Sequence, residues 1–243
     1  NRTENMSELN SLPPYMRILY NKIYAEKNIS GLLDDERIVK LFHFGLKKKI
    51  MKDLLRDISK NAHVLQIGLT FGDEIECIYQ KIRKQGKLDI FDVSEKQISR
   101  AKEKYARKNI EVINYNAALS WDEKYDVVIC YNLLHELPLK TRRQVMDNVL
   151  AGLTTGGKAI FIDYAKPLWW QILRYPLFIF NHLYKPFAES LWQQPLESFC
   201  SKKDEFRWQH TYYGGKLWQK TIAVPKILSN EDVKKLTKLF RNK

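Results

Sequence analysis

Two glycines and an aspartate form the first group of residues whose types and spacing suit ligand binding. Gly68 and Gly72 stand in a short loop after an apolar run, where glycine lets the backbone approach a ligand and the next helix offers free N–H groups. Asp92 ends a second apolar run roughly twenty residues later, where a carboxylate can accept hydrogen bonds from both hydroxyls of a ribose. This spacing predicts a nucleoside site, although a helix cap or a surface acid is the plainer alternative for Asp92.

A second group of residues is suited to moving protons. His135 lies in the segment Leu133–Glu136 after the fourth apolar run, and histidine titrates near neutral pH, so it suits general acid–base catalysis. Asp163 and Tyr164 end the fifth apolar run, where they could bind a metal ion or shuttle a proton, and Tyr213 ends a later strand. Each has a plainer interpretation, since His135 can cap a helix or hold a cofactor and Asp163 can bond loop amides.

The apolar pattern from residue 63 onwards predicts the elements that position these residues. Short apolar runs alternate with helical patterns, which indicates parallel βαβ units with helices on both faces of a sheet. The predicted strands are His63–Gly68, Lys87–Val93, Glu111–Asn116, Tyr125–Cys130 and Lys158–Tyr164. Gly156 and Gly157 are predicted to turn the chain into the fifth strand, and capping boxes of the Ser/Thr-x-x-Gln type are predicted at Ser94 and Thr141.

The end of the sheet is predicted to differ from dinucleotide-binding folds, which continue with parallel strands. Arg207–Tyr213 and Leu217–Val224 flank the turn Gly214–Lys216, a pattern typical of an antiparallel hairpin. The predicted fold class is therefore α/β, with a doubly wound, mostly parallel seven-stranded sheet and a C-terminal antiparallel hairpin. We expect an N-terminal helical cap (1–60), a ligand-binding domain (61–228) with an aromatic insertion (165–200), and a basic C-terminal helix (229–243).

The chain carries a large positive charge. Its 243 residues include 41 Lys and Arg against 28 Asp and Glu, a formal net charge of +13. Such an excess suits nucleic acid or an acidic membrane surface, or it is an ordinary basic surface. No nucleic-acid recognition module stands out, so we expect no nucleic-acid partner. Three scattered cysteines argue against disulfides or a zinc site, and no window reaches the roughly 20 apolar residues of a membrane span.

The region 60–165, with the terminal hairpin added, resembles the class I methyltransferases. The resemblance rests on the loop glycines, the acidic end of the second strand, the leucine-rich segment with His135, the Gly-Gly pair and the Ile-Asp ending of the fifth strand. It implies S-adenosylmethionine as the cofactor. Gln66 departs from the pattern, because these enzymes usually carry an acid there, and a third loop glycine is missing. The residues that the resemblance assigns to the cofactor are Gln66, Gly68, Phe71, Gly72, Asp73, Asp92, Val93, Gln97, Asn116, Ala117, Tyr131 and Asn132.

Further blocks resemble the rhodoquinone biosynthesis family RquA, over about residues 12–224. The blocks are Leu12-Pro13-x-Tyr15, Phe71-Gly72-Asp73, Leu133–Glu136, Asp163-Tyr164 with Pro167, Trp170 and Leu173-Arg174, Pro186–Ala188 with Leu191-Trp192, and Thr211–Gly215 with Gln219-Lys220. This resemblance implies an enzyme that replaces a ring methoxy group of ubiquinone by an amino group, with S-adenosylmethionine as the nitrogen donor and manganese (Mn2+) as a further cofactor. Gln171-Ile172 departs from the His-Pro expected in that family.

The predicted function is S-adenosylmethionine-dependent transfer to a membrane quinone, with His135, Asp163, Tyr164 and Tyr213 as the catalytic candidates and the metal ligands unknown. The aromatic segment 168–192 could line a quinone site or form ordinary core, and its basic residues suit peripheral binding to the cytoplasmic face of an acidic inner membrane. Two alternatives stay open: a conventional methyltransferase of a small molecule, lipid or nucleic acid, and a non-catalytic protein that binds the cofactor. The sequence indicates no oligomeric state.

Overall fold

The computed structural model describes residue 13 and residues 45–70, 72–83, 85–106, 108–166, 168 and 187–226. Within these ranges the helices are α1 (Lys47–Asp57), α2 (Glu74–Ile82), α3 (Glu95–Tyr105), α4 (Leu139–Ala151) and α5 (Ala188–Trp192), with short 3-10 helices at Leu134–Glu136, Leu196–Phe199 and Lys203–Glu205. The strands are β1 (His63–Ile67), β2 (Lys87–Asp92), β3 (Ile110–Asn114), β4 (Tyr125–Tyr131), β5 (Leu153–Tyr164), β6 (Phe206–Tyr213) and β7 (Trp218–Pro225).

The seven strands form one sheet in the order β3-β2-β1-β4-β5-β7-β6. Strands β1 to β5 pair in parallel, whereas β7 runs antiparallel to both β5 and β6. The predicted doubly wound sheet with a terminal hairpin is therefore confirmed. The strand order reverses between β1 and β4, and ligands of open α/β sheets bind beyond the carboxyl ends of the strands at such a point. The antiparallel pairing also brings the turn between β6 and β7 to this same carboxyl edge.

The interior of the sheet explains why the central strands read as continuous apolar runs. After its first residue β1 is buried throughout, and β4 is buried at every residue except Asp126. Parallel strands covered on both faces need this composition, and each fully buried Leu, Ile or Val contributes about 1.5–3 kcal/mol. Helix α3 buries the predicted residues Ile98, Ala101 and Tyr105, and its N-cap Ser94 accepts a hydrogen bond from the Gln97 N–H at 3.4 Å.

The prediction for Gly156 and Gly157 is wrong. Strand β5 already begins at Leu153, so both glycines lie inside the strand instead of in a turn before it. The register against β4 shifts between Tyr125 and Val127 at this place. A Cβ atom on Gly157 would come within 2.8 Å of the Tyr125 carbonyl oxygen, so the irregular pairing needs a residue without a side chain there.

The capping box predicted at Thr141 is also wrong. Helix α4 begins at Leu139, two residues earlier, and Pro138 occupies the N-cap position without a side-chain hydrogen bond. Thr141 therefore lies inside the first turn of α4. The Pro138 carbonyl accepts the first helical bond, from the Arg142 N–H at 2.8 Å, so the helix starts without a polar cap.

Helix α1 is joined to the hairpin by a buried lysine. Lys220 of β7 is 6% exposed, and its ammonium group donates to the Asp53 carbonyl at 3.1 Å and to Asp57 Oδ2 at 2.6 Å. The apolar side of α1 is buried through Ile50 and Leu54. This part of the predicted N-terminal cap therefore belongs to the same packed unit as the sheet.

Several predictions fall outside the described residues. They concern most of the cap at 1–60, Phe71, most of the aromatic insertion and the C-terminal helix at 229–243. Among the helices that the structure describes, none is both long enough and apolar enough to cross a bilayer. The three cysteines are unpaired, as the sequence predicted.

Candidate functional site

The loop after β1 has the backbone geometry predicted for a ligand-binding turn. Gly68 has φ +84° and Gly72 has φ +125°, conformations that residues with a side chain rarely adopt. The Gly68 N–H donates to the Phe91 carbonyl of β2 at 2.8 Å, which fixes the start of the loop. Asn132, directly after β4, has φ +55°. Because β1 pairs with β4, the two loops stand side by side at the carboxyl edge.

Asp92, the ribose candidate, orders two neighbouring pieces of backbone. Its Oδ2 accepts the Leu69 N–H at 2.7 Å, and its Oδ1 accepts the Ser94 N–H at 2.8 Å. Burial raises the pKa of Asp92, and the two amides partly offset that effect. Each carboxylate oxygen has a second lone pair that a ribose hydroxyl can use. The structure thus places Asp92 where the prediction needs it and also gives it a structural role.

Four buried oxygen atoms around this loop have no hydrogen-bond partner within the described part of the chain. They are Gln66 Oε1, Thr70 Oγ1, Glu74 Oε2 and Asn132 Oδ1. A buried acceptor left without a donor costs about 1–3 kcal/mol, so these four oxygens are places where a ligand or a water molecule could donate a hydrogen bond. The amino-acid end of S-adenosylmethionine carries an ammonium group and stands next to a sulfonium, so these residues fit that cofactor.

Asn116 and Ala117, which the resemblance assigns to the cofactor, already use some of their polar atoms in contacts within the chain. Asn116 follows β3, and its Oδ1 accepts the Ala118 N–H at 3.0 Å. The Ala117 carbonyl accepts from the Asn148 side chain at 3.0 Å. Val93 and Gln97 are half-buried at the start of α3, beside Asp92. These residues border the same end of β2, whereas Phe71 lies outside the described residues.

His135 and Asp163 form a fully buried pair between the ends of β4 and β5. The His135 Nδ1 lies 2.9 Å from Asp163 Oδ1, and the His135 N–H donates to Asp163 Oδ2 at 3.2 Å. Asp163 Oδ1 also accepts the Tyr164 N–H at 2.7 Å. Both side chains are 0% exposed, and His135 Nε2 lies 3.5 Å from Glu136 Oε1. Asp163 therefore bonds loop amides, one of the two interpretations above, and orients the imidazole as well.

Arg142 of α4 links the segments that surround the His135–Asp163 pair. Its guanidinium, 0% exposed, donates to the carbonyls of Leu134, Leu137 and Phe187 at 2.8–2.9 Å and to Ser190 Oγ at 3.0 Å. Burial lowers the pKa of Arg142 to about 10, and the Asp163 charge acts in the opposite direction. One side chain therefore fastens the turn that carries His135 to the chain that returns at residue 187.

Aromatic side chains flank the pair. The Tyr164 ring lies 4.9 Å from the His135 ring and 4.6 Å from the Trp218 ring, centre to centre. Tyr131 and Tyr213 are buried at the ends of β4 and β6. Burial raises the pKa of the Tyr131 hydroxyl, and the Glu74 charge adds to the shift. Burial likewise raises the pKa of the Tyr213 hydroxyl, with a contribution from Asp53. Both phenols are thus held neutral, as a hydrogen-bond donor must be.

The residues described do not fit a manganese site. No group of three or more His, Cys, Asp or Glu side chains gathers at one point in the described ranges. Asp163, the sequence candidate for metal binding, faces a histidine and backbone amides instead. We therefore derive no chemical step through a metal ion.

Three residues of this region were missed by the sequence reasoning, namely Lys47, Glu74 and Arg142. Lys47 of α1 lies 2.9 Å from Asp73 Oδ1 and 3.3 Å from Glu74 Oε1. Arg142 had a usable signal, since an arginine between Val145 and the turn at Leu137 falls on the apolar side of α4. Lys47 had none, because its partners lie 26 and 27 residues away in the sequence and only the folded chain brings them together.

Comparisons with known proteins agree with this geometry. Residues 65–159 match the family model described as a methyltransferase domain. That segment contains the glycine loop, Asp92, His135 and most of the parallel sheet. The sequence has no significant match among curated proteins.

Solved structures show the same fold. The plantazolicin methyltransferase BpumL in complex with SAH aligns with a TM-score of 0.61 at 14% identity, over 92% of this chain and 99% of that one. Magnesium protoporphyrin IX methyltransferase (ChlM) from Synechocystis PCC 6803 with bound SAH aligns with a TM-score of 0.57 at 16% identity, over 85% of this chain and 96% of that one. A SAM dependent methyltransferase from Aquifex aeolicus aligns with a TM-score of 0.54 at 20% identity, over 79% of this chain and 94% of that one. The chain therefore has the fold of the class I methyltransferases.

Proposed function

We propose that this chain is an S-adenosylmethionine-dependent transferase whose cofactor lies across the carboxyl ends of β1, β2 and β4. The observation that carries the proposal is the set of unpartnered buried oxygens beside the glycine loop, next to a carboxylate in the ribose position. A nucleoside with a cationic amino-acid end would donate hydrogen bonds to these oxygens and offer its ribose hydroxyls to the carboxylate. The match of residues 65–159 to a methyltransferase domain supports the same assignment.

In this proposal each side chain has a defined contact. Asp92 accepts the ribose hydroxyls, and the backbone around Asn116 and Ala117 borders the adenine. Gln66 and Asn132 offer acceptor oxygens to the cationic end. Gly68 leaves room for the ligand against the loop, whereas the space beside Gly72 is taken by the Lys47 ammonium and the Glu74 carboxylate. When bound, the cofactor would supply the methyl group of its sulfonium or, as the resemblance implies, the amino nitrogen of its amino-acid end.

His135 is the residue that this proposal assigns to proton transfer. Because Nδ1 faces Asp163, the carboxylate favours one tautomer, and this proposal assigns proton exchange to Nε2, which lies 3.5 Å from Glu136 Oε1. The pair is buried, so bulk water does not compete for that proton once a substrate fills the cleft. Tyr164 and Trp218 provide apolar aromatic surface beside it, which suits a planar ring as the acceptor.

We further propose that the acceptor is a membrane quinone and that the group transferred is the amino group. The support is the resemblance to the RquA family and the neutral residue Gln66 in place of the usual acid. Replacing a ring methoxy group by this nitrogen forms a ring carbon–nitrogen bond and breaks the ring carbon–oxygen bond, which releases methanol. Elimination of methylthioadenosine and hydrolysis of the remaining carbon–nitrogen bond by water would release the four-carbon skeleton of the donor as a 2-oxo acid, so the exchange needs no oxidant or reductant. One proton must leave the nitrogen and one must reach the departing oxygen. The buried His135–Asp163 pair is suited to move a proton between these two atoms.

Association with an acidic membrane has its own support in the charge of α1. Its exposed side chains are Lys48, Lys49, Lys52 and Arg56. The hairpin turn adjoins this helix, with Tyr212 47% exposed and Lys216 5.3 Å from the Tyr212 ring centre. Cationic side chains with an exposed aromatic suit an anionic headgroup layer.

The products separate the two reactions. The purified chain is incubated with S-adenosylmethionine and ubiquinone in detergent, and the soluble products are identified by mass spectrometry. Methylthioadenosine together with an aminated quinone supports amino transfer. S-adenosylhomocysteine with a methylated acceptor points to conventional methyl transfer, which the fold equally accommodates. Absence of cofactor binding by calorimetry would leave neither proposal standing.

A further inference from the structure

A buried carboxylate lies beside the place where the expected acid is absent. Glu74, the first residue of α2, has a side chain 3% exposed. Its Oε1 lies 3.3 Å from the Lys47 ammonium, whereas its Oε2 has no hydrogen-bond partner among the described residues. A Cβ atom on Gly72 would come within 2.8 Å of that oxygen, so Oε2 borders the glycine loop itself. Gln66, which is neutral, lies at the end of β1 before the same loop.

Lys47 places a positive charge at the same glycine. A Cβ on Gly72 would collide with the Lys47 ammonium. The side chain is 17% exposed and also reaches the largely exposed Asp73 at 2.9 Å. One cation and one incompletely paired anion therefore stand together on the loop where the proposed cofactor would place its amino-acid end.

We propose that Glu74 supplies the negative charge that Gln66 does not, and that Glu74 and Lys47 together receive the ammonium and the carboxylate of an α-amino-acid group. This inference rests on the proposed function, because S-adenosylmethionine carries that group. Glu74 Oε2 accepts from the ligand ammonium, and Lys47, held by Asp73, donates to the ligand carboxylate.

The energetic cost of an ionised Glu74 carboxylate in the protein without ligand argues against a purely structural role for Glu74. Burial raises the pKa of Glu74 despite the opposing effect of Lys47, which means that the folded chain without ligand disfavours the ionised carboxylate. Stability from Glu74 is greatest below its unfolded pKa and is lost as the pH rises through the higher folded value. Glu74→Gln should consequently leave the thermal midpoint of the free protein at neutral pH unchanged or higher.

Ligand series with single chemical differences test the assignment. Calorimetry compares S-adenosylmethionine, S-adenosylhomocysteine, decarboxylated S-adenosylmethionine and methylthioadenosine, which lacks the amino-acid group. Glu74→Gln should weaken the first three by about 10- to 100-fold, as expected for a charge-assisted hydrogen bond, and leave methylthioadenosine unchanged. Lys47→Met should weaken only the two ligands that keep the carboxylate. Glu76→Gln and Lys48→Met, neighbours on the same helices, are the matched controls and should change nothing.

The outcomes are separable. If wild type binds S-adenosylmethionine and methylthioadenosine but Glu74→Gln binds all four ligands equally well, the inference is wrong and the proposed function stands. A loss for S-adenosylmethionine without a loss for S-adenosylhomocysteine would assign Glu74 to the sulfonium instead and overturn the pairing. If Lys47→Met lowers only the thermal midpoint, Lys47 is a structural link. If wild type binds none of the four, the proposed function itself fails.

Discussion

The Asp163 carboxylate holds His135 at two points, through the imidazole Nδ1 at 2.9 Å and through the backbone N–H at 3.2 Å. A residue held twice keeps both its ring orientation and the path of its backbone. In the proposed function, Nε2 is the ring nitrogen assigned to proton transfer, because Nδ1 faces the Asp163 carboxylate. This geometry makes the role of His135 testable by substitution.

Replacing His135 should affect turnover far more than cofactor binding. A positioned general acid–base contributes about 10²–10⁴-fold in rate, so His135→Ala should lower the rate of product formation by that order. His135→Asn should not restore it, because an amide does not titrate. Rates come from product analysis and affinity from calorimetry. A parallel fall in both quantities would identify His135 as a binding residue, and retained activity would favour Asp163 or Tyr213 for proton transfer.

Arg142→Met should destabilise the fold. The change removes a buried cation and leaves the carbonyls of Leu134, Leu137 and Phe187 without their donor, which we expect to cost about 3–5 kcal/mol of unfolding free energy. Denaturant unfolding measures the difference. Arg143→Met, at the exposed neighbouring position, is the control and should stay within about 0.5 kcal/mol of wild type. Equal effects would show that Arg142 is not the clamp described.

Asp92 should make stability depend on pH in a defined direction. Its pKa is raised by burial, so its contribution to stability is present below the unfolded value near 4 and is lost as the pH rises through the folded value. Asp92→Asn should therefore lose less stability than wild type when the pH is raised from about 4 to 7. The same variant should bind S-adenosylmethionine about 1–3 kcal/mol more weakly at pH 7. Unchanged affinity would contradict the ribose assignment.

The basic face of α1 should control membrane binding if the membrane proposal is correct. Changing Lys48, Lys49 and Lys52 to Glu should weaken sedimentation with vesicles rich in phosphatidylglycerol, where each cation contributes about 1 kcal/mol. Wild-type binding should fall with added salt. The control changes Lys96, Arg100 and Lys102 of α3 to Glu, with the same change in net charge. An equal loss in the control would indicate non-specific attraction, and binding without dependence on anionic lipid would refute the proposal.

The sequence predicted the parts of the site that follow from strand ends. Asp92, His135 and Asp163 each close an apolar run or follow one, and parallel strands bring such residues to one edge. Glu74 and Lys47 escaped because their roles depend on contacts between elements far apart in the chain, whereas Arg142 was overlooked although it falls on the apolar side of α4. Glu74 in particular resembles an ordinary acid in the first turn of a helix, which is a favourable place for a negative charge on any surface helix. Only burial and the missing partner distinguish it.

The sequence predictions also went wrong for two short motifs, a glycine pair and a capping box. Gly156 and Gly157 have the composition of a turn, yet they lie inside β5 because the pairing with β4 is irregular there. Thr141 and Gln144 have the spacing of a cap, yet Pro138 starts the helix earlier. In both cases, contacts or backbone geometry set by neighbouring residues outweighed the conformational preference of the short motif.

The segment from residue 166 to residue 186 is fastened at both ends to the elements that carry the site. The Ala165 N–H donates to the Leu217 carbonyl of the hairpin turn, and the Phe187 carbonyl is held by Arg142. The chain therefore leaves and re-enters the described structure at two fixed points, one on the hairpin turn and one on the helix that also fastens the His135 turn.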